Sequence, residues 1–318
     1  MQNAITMTRR QALFAGAALP LAASLGGFAF SSGPAIARSG MLGASSAQFN
    51  RFALGSFEVT AILGGSQTAP EPHKLFGTNV SDADFAAVSA AAFIPTDRLQ
   101  FFFTPTVVNT GAELVLFDTG TNPAGLVAAL AAAGYGPDLI DVVVLTHMHP
   151  DHIGGMMTEG QPTFSNARYV TGAVEHNFWT GAANDGFDTL VKPFNDKMTF
   201  LDDGGAVASG ITAQMAVGHT PGHMIYRLES GGTQLVITAD TANHYVWSLG
   251  QPDWEFAYDA DKAAAAQARH VVFGMLAADK LPFIGYHMPF PALGYVEAQG
   301  PGFRYVPSSY QMMLETAG

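Results

Sequence analysis

The chain of 318 residues contains no cysteine. This excludes disulfide bonds and thiolate ligands, so any bound metal must be held by nitrogen and oxygen atoms. Basic residues are scarce too, since 14 Lys and Arg stand against 26 Asp and Glu, giving a net charge of −12. So acidic a chain is a poor binder of nucleic acid or of anionic membranes, and neither is an expected partner. With no cysteine and no Gly-x-Ser-x-Gly motif, a protein nucleophile is not evident either.

An uninterrupted apolar run of membrane-spanning length is missing at the N-terminus. Thr8-Arg9-Arg10-Gln11-Ala12-Leu13 precedes an Ala-rich stretch that Gly, Ser and Pro20 interrupt, and Ala35-Ile36-Ala37 supplies a cleavage site. This pattern is typical of a twin-arginine export signal rather than of a membrane anchor. We therefore expect residues 1–37 to be a signal peptide, residues 38–318 to form a single folded domain, and the mature protein to be periplasmic or secreted, without stable membrane insertion.

A dense group of polar side chains follows the apolar run Val142-Val143-Val144-Leu145, which predicts a buried strand. His147 and His149 stand two positions apart, so in extended backbone both rings leave the same face and can converge on one ion. Pro150 then forces a turn, which leaves Asp151 and His152 free to serve a second ion. Imidazole nitrogen and carboxylate oxygen are ligands that zinc prefers, so the segment predicts a metal site.

This segment, His147-x-His149-x-Asp151-His152, resembles the signature of the metallo-β-lactamase superfamily. The resemblance implies an α/β fold, the αββα sandwich, in which two mixed sheets are flanked by helices and the site lies on loops along one edge. The order of elements that the sequence predicts fits this fold. Predicted strands are 52–63 as a pair, 99–109, 114–117, 142–145, 167–171, 211–217, 224–229, 234–238 and 281–286; predicted helices are 82–92, 123–133, 172–180, 188–198 and 259–276, and residues 64–73 are predicted to be a loop.

The resemblance also implies the remaining ligands, each at the end of a predicted apolar strand. His223, in Thr220-Pro221-Gly222-His223, would complete the first ion's set with His147 and His149. Asp240 would bridge the two ions, and His287 would join Asp151 and His152 at the second. Asp118 is expected to orient a ligand histidine or fix the metal loop, and His219 to contact a ligand rather than an ion. Two divalent ions are implied, zinc first, with manganese, cobalt and iron left open.

Hydrolysis by a hydroxide shared between the ions follows from such a site, with Asp240 and Asp151 as the catalytic carboxylates. Asp151 would pass a proton to the leaving group or serve only as a ligand. Aromatic side chains are the candidates for the substrate pocket, and an aromatic wall suits neutral, apolar esters. The residues predicted to line the pocket are Phe178, Trp179, Phe194 and Trp247.

The segment that begins at His287, His287-Met288-Pro289-Phe290-Pro291, resembles the exported lactonase and methyl parathion hydrolase-like branch. The resemblance implies a hydrolase of neutral small molecules, N-acyl homoserine lactones or aryl esters, that also accepts organophosphate triesters. A phosphotriesterase as the main activity and a glyoxalase II-like thioester hydrolase, or a related iron-dependent persulfide dioxygenase, are the alternatives. A binding module of this fold would have lost ligands, whereas all seven are present here. A homodimer is left open.

Overall fold

Two seven-stranded β-sheets dominate the computed structural model, which describes Met41 and residues 43–314. The predicted signal peptide lies outside the described residues, and the strands all belong to the unit that begins at Ser46. In chain order the strands are β1 (Phe49–Leu54), β2 (Phe57–Ile62), β3 (Gly65–Pro70), β4 (Arg98–Phe103), β5 (Thr106–Asn109), β6 (Leu114–Phe117), β7 (Val142–Leu145), β8 (Met157–Thr158), β9 (Gln161–Pro162), β10 (Arg168–Gly172), β11 (Met198–Leu201), β12 (Ala206–Ala208), β13 (Ile211–Met215), β14 (Met224–Ser230), β15 (Thr233–Ala239), β16 (Phe283–Gly285), β17 (Leu293–Gln299) and β18 (Gly302–Pro307).

Helices fill the connections between these strands. Their first turns are capped by side chains in the expected way, since Ser81, Asn122 and Asp261 each accept an amide N–H of the helix that follows. No helix among the described residues is long and apolar enough to cross a membrane. The α-helices are α1 (Asp82–Ala91), α2 (Pro123–Ala132), α3 (Pro150–Ile153), α4 (Ala173–Gly181), α5 (Asp185–Leu190) and α6 (Lys262–Asp279), and short 3-10 helices cover Pro72–Lys74, Pro137–Leu139 and Lys192–Lys197.

Both large sheets are mixed. The first has the order β1-β2-β5-β6-β7-β10-β11, antiparallel up to β6 and parallel from β6 to β11. The second runs β12-β13-β14-β15-β16-β17-β18 and is antiparallel except where β15 pairs with β16. Outside the two sheets, β3 and β4 form a separate antiparallel ribbon.

Strand β7 is buried on both faces, which explains why its sequence is apolar throughout. Val142 and Val144 belong to the cluster between the two sheets, whereas Val143 and Leu145 belong to the cluster on the outer face of the first sheet. Helix α2 covers that outer face with Leu126 and Leu130, and α6 packs against the second sheet through Phe273 and its neighbours. Because both faces of the strand are buried, the alternation of polar and apolar residues disappears. The predicted αββα sandwich is confirmed.

Several boundaries differ from the sequence prediction. The predicted strand 99–109 is broken at Pro105, so that β4 joins the ribbon and β5 joins the first sheet. The predicted loop 64–73 contains β3, the partner of β4. The predicted helix 188–198 is two short pieces, because Pro193 cannot donate an amide hydrogen bond inside a continuous helix. The hairpin of β17 and β18 was not predicted.

The loop after β6 and the turn after α3 approach each other closely at Gly155. A Cβ atom at Gly155 would lie 2.2 Å from the carbonyl oxygen of Thr119, whose hydroxyl also accepts the Gly155 amide at 3.2 Å. Only a residue without a side chain fits here, so the spacing between the two loops depends on this glycine.

We expect Gly155→Ala to lower the free energy of unfolding by about 1–3 kcal/mol, because one of the two loops must move. Urea unfolding measures the change. Gly181→Ala, where a Cβ meets nothing within 4 Å, is the matched control and should be close to neutral. Equal stability of the two variants would contradict the close approach.

Candidate metal centre

Five strand ends meet at one edge of the sandwich and carry the polar residues of the site. Asp118 follows β6, and the segment 146–152 follows β7. His219 and His223 follow β13, Asp240 follows β15, and His287 follows β16.

The carboxylate of Asp240 lies at the middle of this group. Its Oδ2 is 3.2 Å from Nε2 of His287 and 3.3 Å from Nε2 of His219. Its Oδ1 is 3.2 Å from Nε2 of His152, and Nε2 of His147 lies 3.9 Å from Oδ2. Asp240 therefore touches the histidines of both predicted sets. The residue before it, Ala239, has a φ of 43°, a strained conformation that helps to turn the carboxylate out of the strand.

The first histidine set consists of His147, His149 and His219. Their ligand atoms lie within 4.8 Å of one another. Nδ1 of His149 is 3.2 Å from Nε2 of His147 and 2.9 Å from Nε2 of His219. Burial, aided by His219, lowers the pKa of His149 to about 4, so that this ring is neutral at physiological pH and has a lone pair to give.

The second set consists of Asp151, His152 and His287. Oδ2 of Asp151 lies 3.3 Å from Nε2 of His287 and 3.7 Å from Nε2 of His152. Burial opposes charge on His287, but Asp240 and Asp151 outweigh it and raise the pKa of His287 to about 10. The second set is thus rich in negative charge and attracts a cation.

His223 does not join the first set, contrary to the sequence prediction, and His219 takes the place predicted for it. Nδ1 of His223 donates to the carbonyl of Ala216 at 3.0 Å, and its Nε2 accepts the amide of Asp240 at 3.1 Å. Both ring nitrogens are therefore engaged with the backbone, and His223 fixes the end of β15. Two histidines four positions apart in one motif gave no signal that could separate these roles.

Asp118 holds the loop that carries the first motif. Its Oδ1 accepts the amide of Thr146, and its Oδ2 accepts the Thr146 hydroxyl, both at 2.9 Å. The same Oδ2 lies 2.8 Å from Nδ1 of His152, so Asp118 fixes that ring with Nε2 turned toward Asp240. With a φ of 60°, Asp118 is itself in a strained backbone conformation, which a site of this kind often contains.

A buried ion pair fixes the ring of His219 in the same way as Asp118 fixes that of His152. The sequence analysis did not predict this pair. Nδ1 of His219 lies 2.9 Å from Oδ1 of Asp259, whose Oδ2 accepts from the guanidinium of Arg269 at 2.9 Å. Arg269, on α6, also donates to the carbonyl of Pro252. Carboxylates in this position orient ligand imidazoles and select their tautomer. No motif marks Asp259 or Arg269, because their partners are far away in the chain.

Glu175, at the start of α4, is a second missed residue. It is fully buried, and each of its oxygens accepts two hydrogen bonds. Oε1 accepts the Met148 amide at 3.1 Å and the Trp179 indole N–H at 2.7 Å. Oε2 accepts the Thr220 hydroxyl at 2.7 Å and the Gly222 amide at 3.0 Å. Glu175 therefore ties the loop of His147 and His149 to the loop of His219.

The donor set fits two divalent ions. Nε2 of His152 and Oδ1 of Asp240 are buried and, among the described residues, have no hydrogen-bond partner, although they face each other. Buried polar atoms of this kind call for a ligand. The two sets offer nitrogen and oxygen atoms alone, which zinc and related ions accept. His147, His149 and His219 would hold one ion, Asp151, His152 and His287 the other, and Asp240 would contact both.

A cavity of about 510 Å³ opens above these residues. Its walls are mainly apolar and aromatic, and none of its described lining residues is Lys or Arg. They are Gln67, Ala69, Leu75, Phe101, Phe103, Thr121, His149, Pro150, Asp151, His219, Asp240, Asn243, Phe256, Tyr258 and His287.

None of the four aromatic residues predicted for the pocket lines this cavity, although Trp247 lines a neighbouring cavity that shares His287 with it. Phe194 is buried against Tyr169 in the core, and Trp247 is buried with its indole N–H bonded to Ser89, so neither lines this cavity. Phe178 is 43% exposed on α4. Trp179 stands edge-on to His149, with 6.0 Å between the ring centroids, but its indole N–H donates a hydrogen bond to Glu175. The ribbon strand β4 and the loop before α6 supply the walls instead.

The fold and the site together define a metal-dependent hydrolase of the αββα class. A family model described as the metallo-beta-lactamase superfamily matches residues 104–274, and the chain belongs to this superfamily. The predictions of family and of an enzyme are confirmed.

Solved structures of similar fold cover most of the chain. The structure of AidC, a dizinc quorum-quenching lactonase in complex with the product N-hexanoyl-L-homoserine, is 26% identical with a TM-score of 0.76, over 83% of this chain and 98% of that one. The hydrolase AbOPH of the beta lactamase superfamily is 22% identical with a TM-score of 0.78, over 84% and 100%. A probable metal-dependent hydrolase from Staphylococcus aureus is 21% identical with a TM-score of 0.67, over 80% and 98%. No curated protein matches the chain.

We expect Glu175→Gln to weaken metal binding by on the order of tenfold, since partners that orient metal ligands contribute about that much. A glutamine offers one acceptor oxygen, so its NH₂ group must face two of the four donors. Zinc retained against a competing chelator measures the effect.

Glu113→Gln is the matched control for this change. Glu113 is partly buried and pairs with Arg168 at 3.0 Å, away from the histidines. Zinc retention by Glu175→Gln equal to that of Glu113→Gln would show that the Glu175 carboxylate does not hold the loops.

Proposed function

We propose that the protein hydrolyses neutral, apolar lactones and carboxylic esters with two divalent ions, zinc foremost, and that N-acyl homoserine lactones are the substrate class that fits best. The observation that carries the proposal is the position of the two ligand sets at the floor of a cavity with apolar walls. Similarity to the dizinc lactonase AidC supports the choice of lactones.

Charge in the cavity favours uncharged substrates. The described lining residues include the carboxylates Asp151 and Asp240 and no Lys or Arg. A phosphate mono- or diester would meet these carboxylates without a fixed cation from the chain, and glutathione thioesters would lack a partner for their own carboxylates. This argues against the glyoxalase II-like alternative as well.

The two ions, when bound, would activate a water near neutral pH and polarise the carbonyl oxygen of the substrate. The chain itself positions the reacting groups. Phe101 and Phe103 stand edge-on to His287, so an apolar substrate arm packed on them places its carbonyl beside the ligand residues. Asp240, whose side chain is only 3% exposed, is largely shielded from solvent at the floor of the same cavity.

Asp151 is the better placed of the two carboxylates to move a proton. Its side chain is 27% exposed at the cavity, whereas that of Asp240 is almost completely buried. The Tyr286 hydroxyl donates to the carbonyl of Asp151 and fixes its backbone. We therefore assign to Asp151 the role of accepting the proton that the attacking water loses and passing it to the leaving alkoxide, in addition to its place in the second ligand set.

Metal-loaded protein should hydrolyse N-hexanoyl-homoserine lactone or an aryl carboxylic ester with the highest kcat/KM. A neutral aryl phosphotriester such as methyl parathion should be hydrolysed more slowly, because it is uncharged and can enter the pocket but its transition state at phosphorus differs in shape from one at a carbonyl carbon. A phosphodiester should be a poor substrate because it carries a negative charge. Parallel assays of the four substrates, with chelator-treated protein as control, test the ranking. Efficient phosphodiester hydrolysis with inert lactones would refute the proposal; fast triester hydrolysis with slow lactones would favour the phosphotriesterase alternative.

A further inference from the structure

A second cavity, of about 350 Å³, lies beside the one above the ligand residues, and the proposed reaction does not use it. Strand β4 contributes a wall to each cavity. Phe101 and Phe103 line the cavity above the ligand residues, whereas Gln100 and Phe102 line the second one. Because successive side chains of a strand point to opposite faces, β4 lies between the two cavities. Of the described residues, only His287 lines both.

The walls of the second cavity are mainly apolar and hold little charge. None of its described lining residues is Asp or Glu. Arg98 lines it, but this side chain is 66% exposed and pairs with Asp97 at 2.9 Å, so its charge is already balanced. A neutral, apolar molecule therefore fits this space better than an anion does. The apolar lining residues are Ile94, Pro95, Leu99, Phe102, Trp247 and Pro289.

His244 supplies a fixed hydrogen-bond donor at the second cavity. It begins the turn 245–248, and its Nδ1 accepts the amides of Val246 and Trp247 at 3.1 and 3.2 Å. A ring nitrogen that accepts carries no proton, and burial lowers the pKa of His244 to about 3, so the ring is neutral with its one proton on Nε2. Asn or Ser could supply the same acceptor to the turn. The N–H donor is what the imidazole adds.

The Nε2–H group of His244 is available to a molecule in the cavity. Because Nδ1 faces the turn, Nε2 lies on the other side of the ring, and it has no hydrogen-bond partner among the residues that the structure describes. His244 is 7% exposed and lines only the second cavity, and its Nε2 is not completely enclosed. The ring stacks on Trp247, with 4.0 Å between the ring centroids, and this contact fixes the direction of the N–H.

We propose that the second cavity binds a small neutral molecule with an apolar body and a carbonyl oxygen, which accepts a hydrogen bond from Nε2 of His244. Ketones, amides and esters have these features. Small-molecule sites combine apolar walls with a few fixed polar groups and have volumes of about 300–1,000 Å³, a range that includes this cavity. The inference does not depend on the hydrolytic reaction, because the donor is not one of the ligand residues.

Acetophenone and ethylbenzene test the hydrogen bond, because they differ only in that a methylene replaces the carbonyl. Each is titrated into the isotope-labelled zinc protein, and the NMR amide signals of Ile94 and Gln100, which line the second cavity, give its Kd. In His244→Asn the new side chain can still accept amides of the turn but is too short to place a donor at the position of Nε2. The ratio of the Kd of acetophenone to that of ethylbenzene should therefore rise about two- to tenfold, which is the contribution of one hydrogen bond.

The ratio is the readout because loss of the ring weakens the binding of both probes alike. His176→Asn is the matched control, since His176 is also buried, has its Nε2 2.9 Å from Oδ1 of Asn195 and lines neither cavity. Its ratio should equal that of the wild type. Thermal unfolding and zinc content are measured for each variant.

Two results would overturn the proposal. Acetophenone could leave the amide signals of Ile94 and Gln100 of the wild type unchanged, or the ratio could be the same in His244→Asn as in the wild type. If His244→Asn does not fold, the Nε2 resonance of His244 in the wild type replaces it. Acetophenone should then shift this resonance more than ethylbenzene does, and an equal response to the two probes would refute the hydrogen bond.

Discussion

The buried carboxylate of Asp240 is the constraint on which the site depends. Its oxygens lie between 3.2 and 3.9 Å from four imidazole nitrogens. A carboxylate removed from water must be compensated by positive charge. Protons on His152 and His287 can supply part of it, since nearby carboxylates outweigh burial and raise the pKa of both rings. His147 and His149 remain neutral through burial, so a pair of divalent ions satisfies all of these groups at once.

A buried carboxylate fixes each of the two loops that carry the ligand histidines 147, 149, 152 and 219. Asp118 fixes the loop after β7 and the ring of His152, and Asp259 with Arg269 fixes His219. Glu175 joins the two loops to each other. The αββα sandwich makes this arrangement possible, because its strands end at one edge and leave the loops to meet there. Variation of the cavity walls, which come from the ribbon and the loop before α6, can then change the substrate without disturbing the ligands.

Sequence reasoning predicted the parts of the molecule that depend on local pattern. The apolar run 142–145 and the strand ends that carry Asp118, Asp240 and His287 were visible because the buried residues before them are mainly apolar. The exchange of His219 and His223 was not visible, since ring direction depends on contacts with Asp259 and Ala216.

The pocket could not be predicted from composition. Aromatic residues serve both cores and cavities, and Trp247 went to the core because Ser89, 158 positions away, accepts its N–H. Phe101 and Phe103 line the cavity because Pro105 diverts β4 out of the first sheet and into the ribbon. Both placements depend on tertiary contacts, which a short stretch of sequence does not reveal.

Anomalous diffraction from crystals of the zinc-loaded protein, recorded on both sides of the zinc absorption edge, tests the central claim most directly. The account predicts two zinc peaks ~3.5–4 Å apart on either side of the Asp240 carboxylate. One peak should be bonded by His147, His149 and His219, and the other by Asp151, His152 and His287. A single peak in active protein, or an ion bonded to His223 in place of His219, would contradict it.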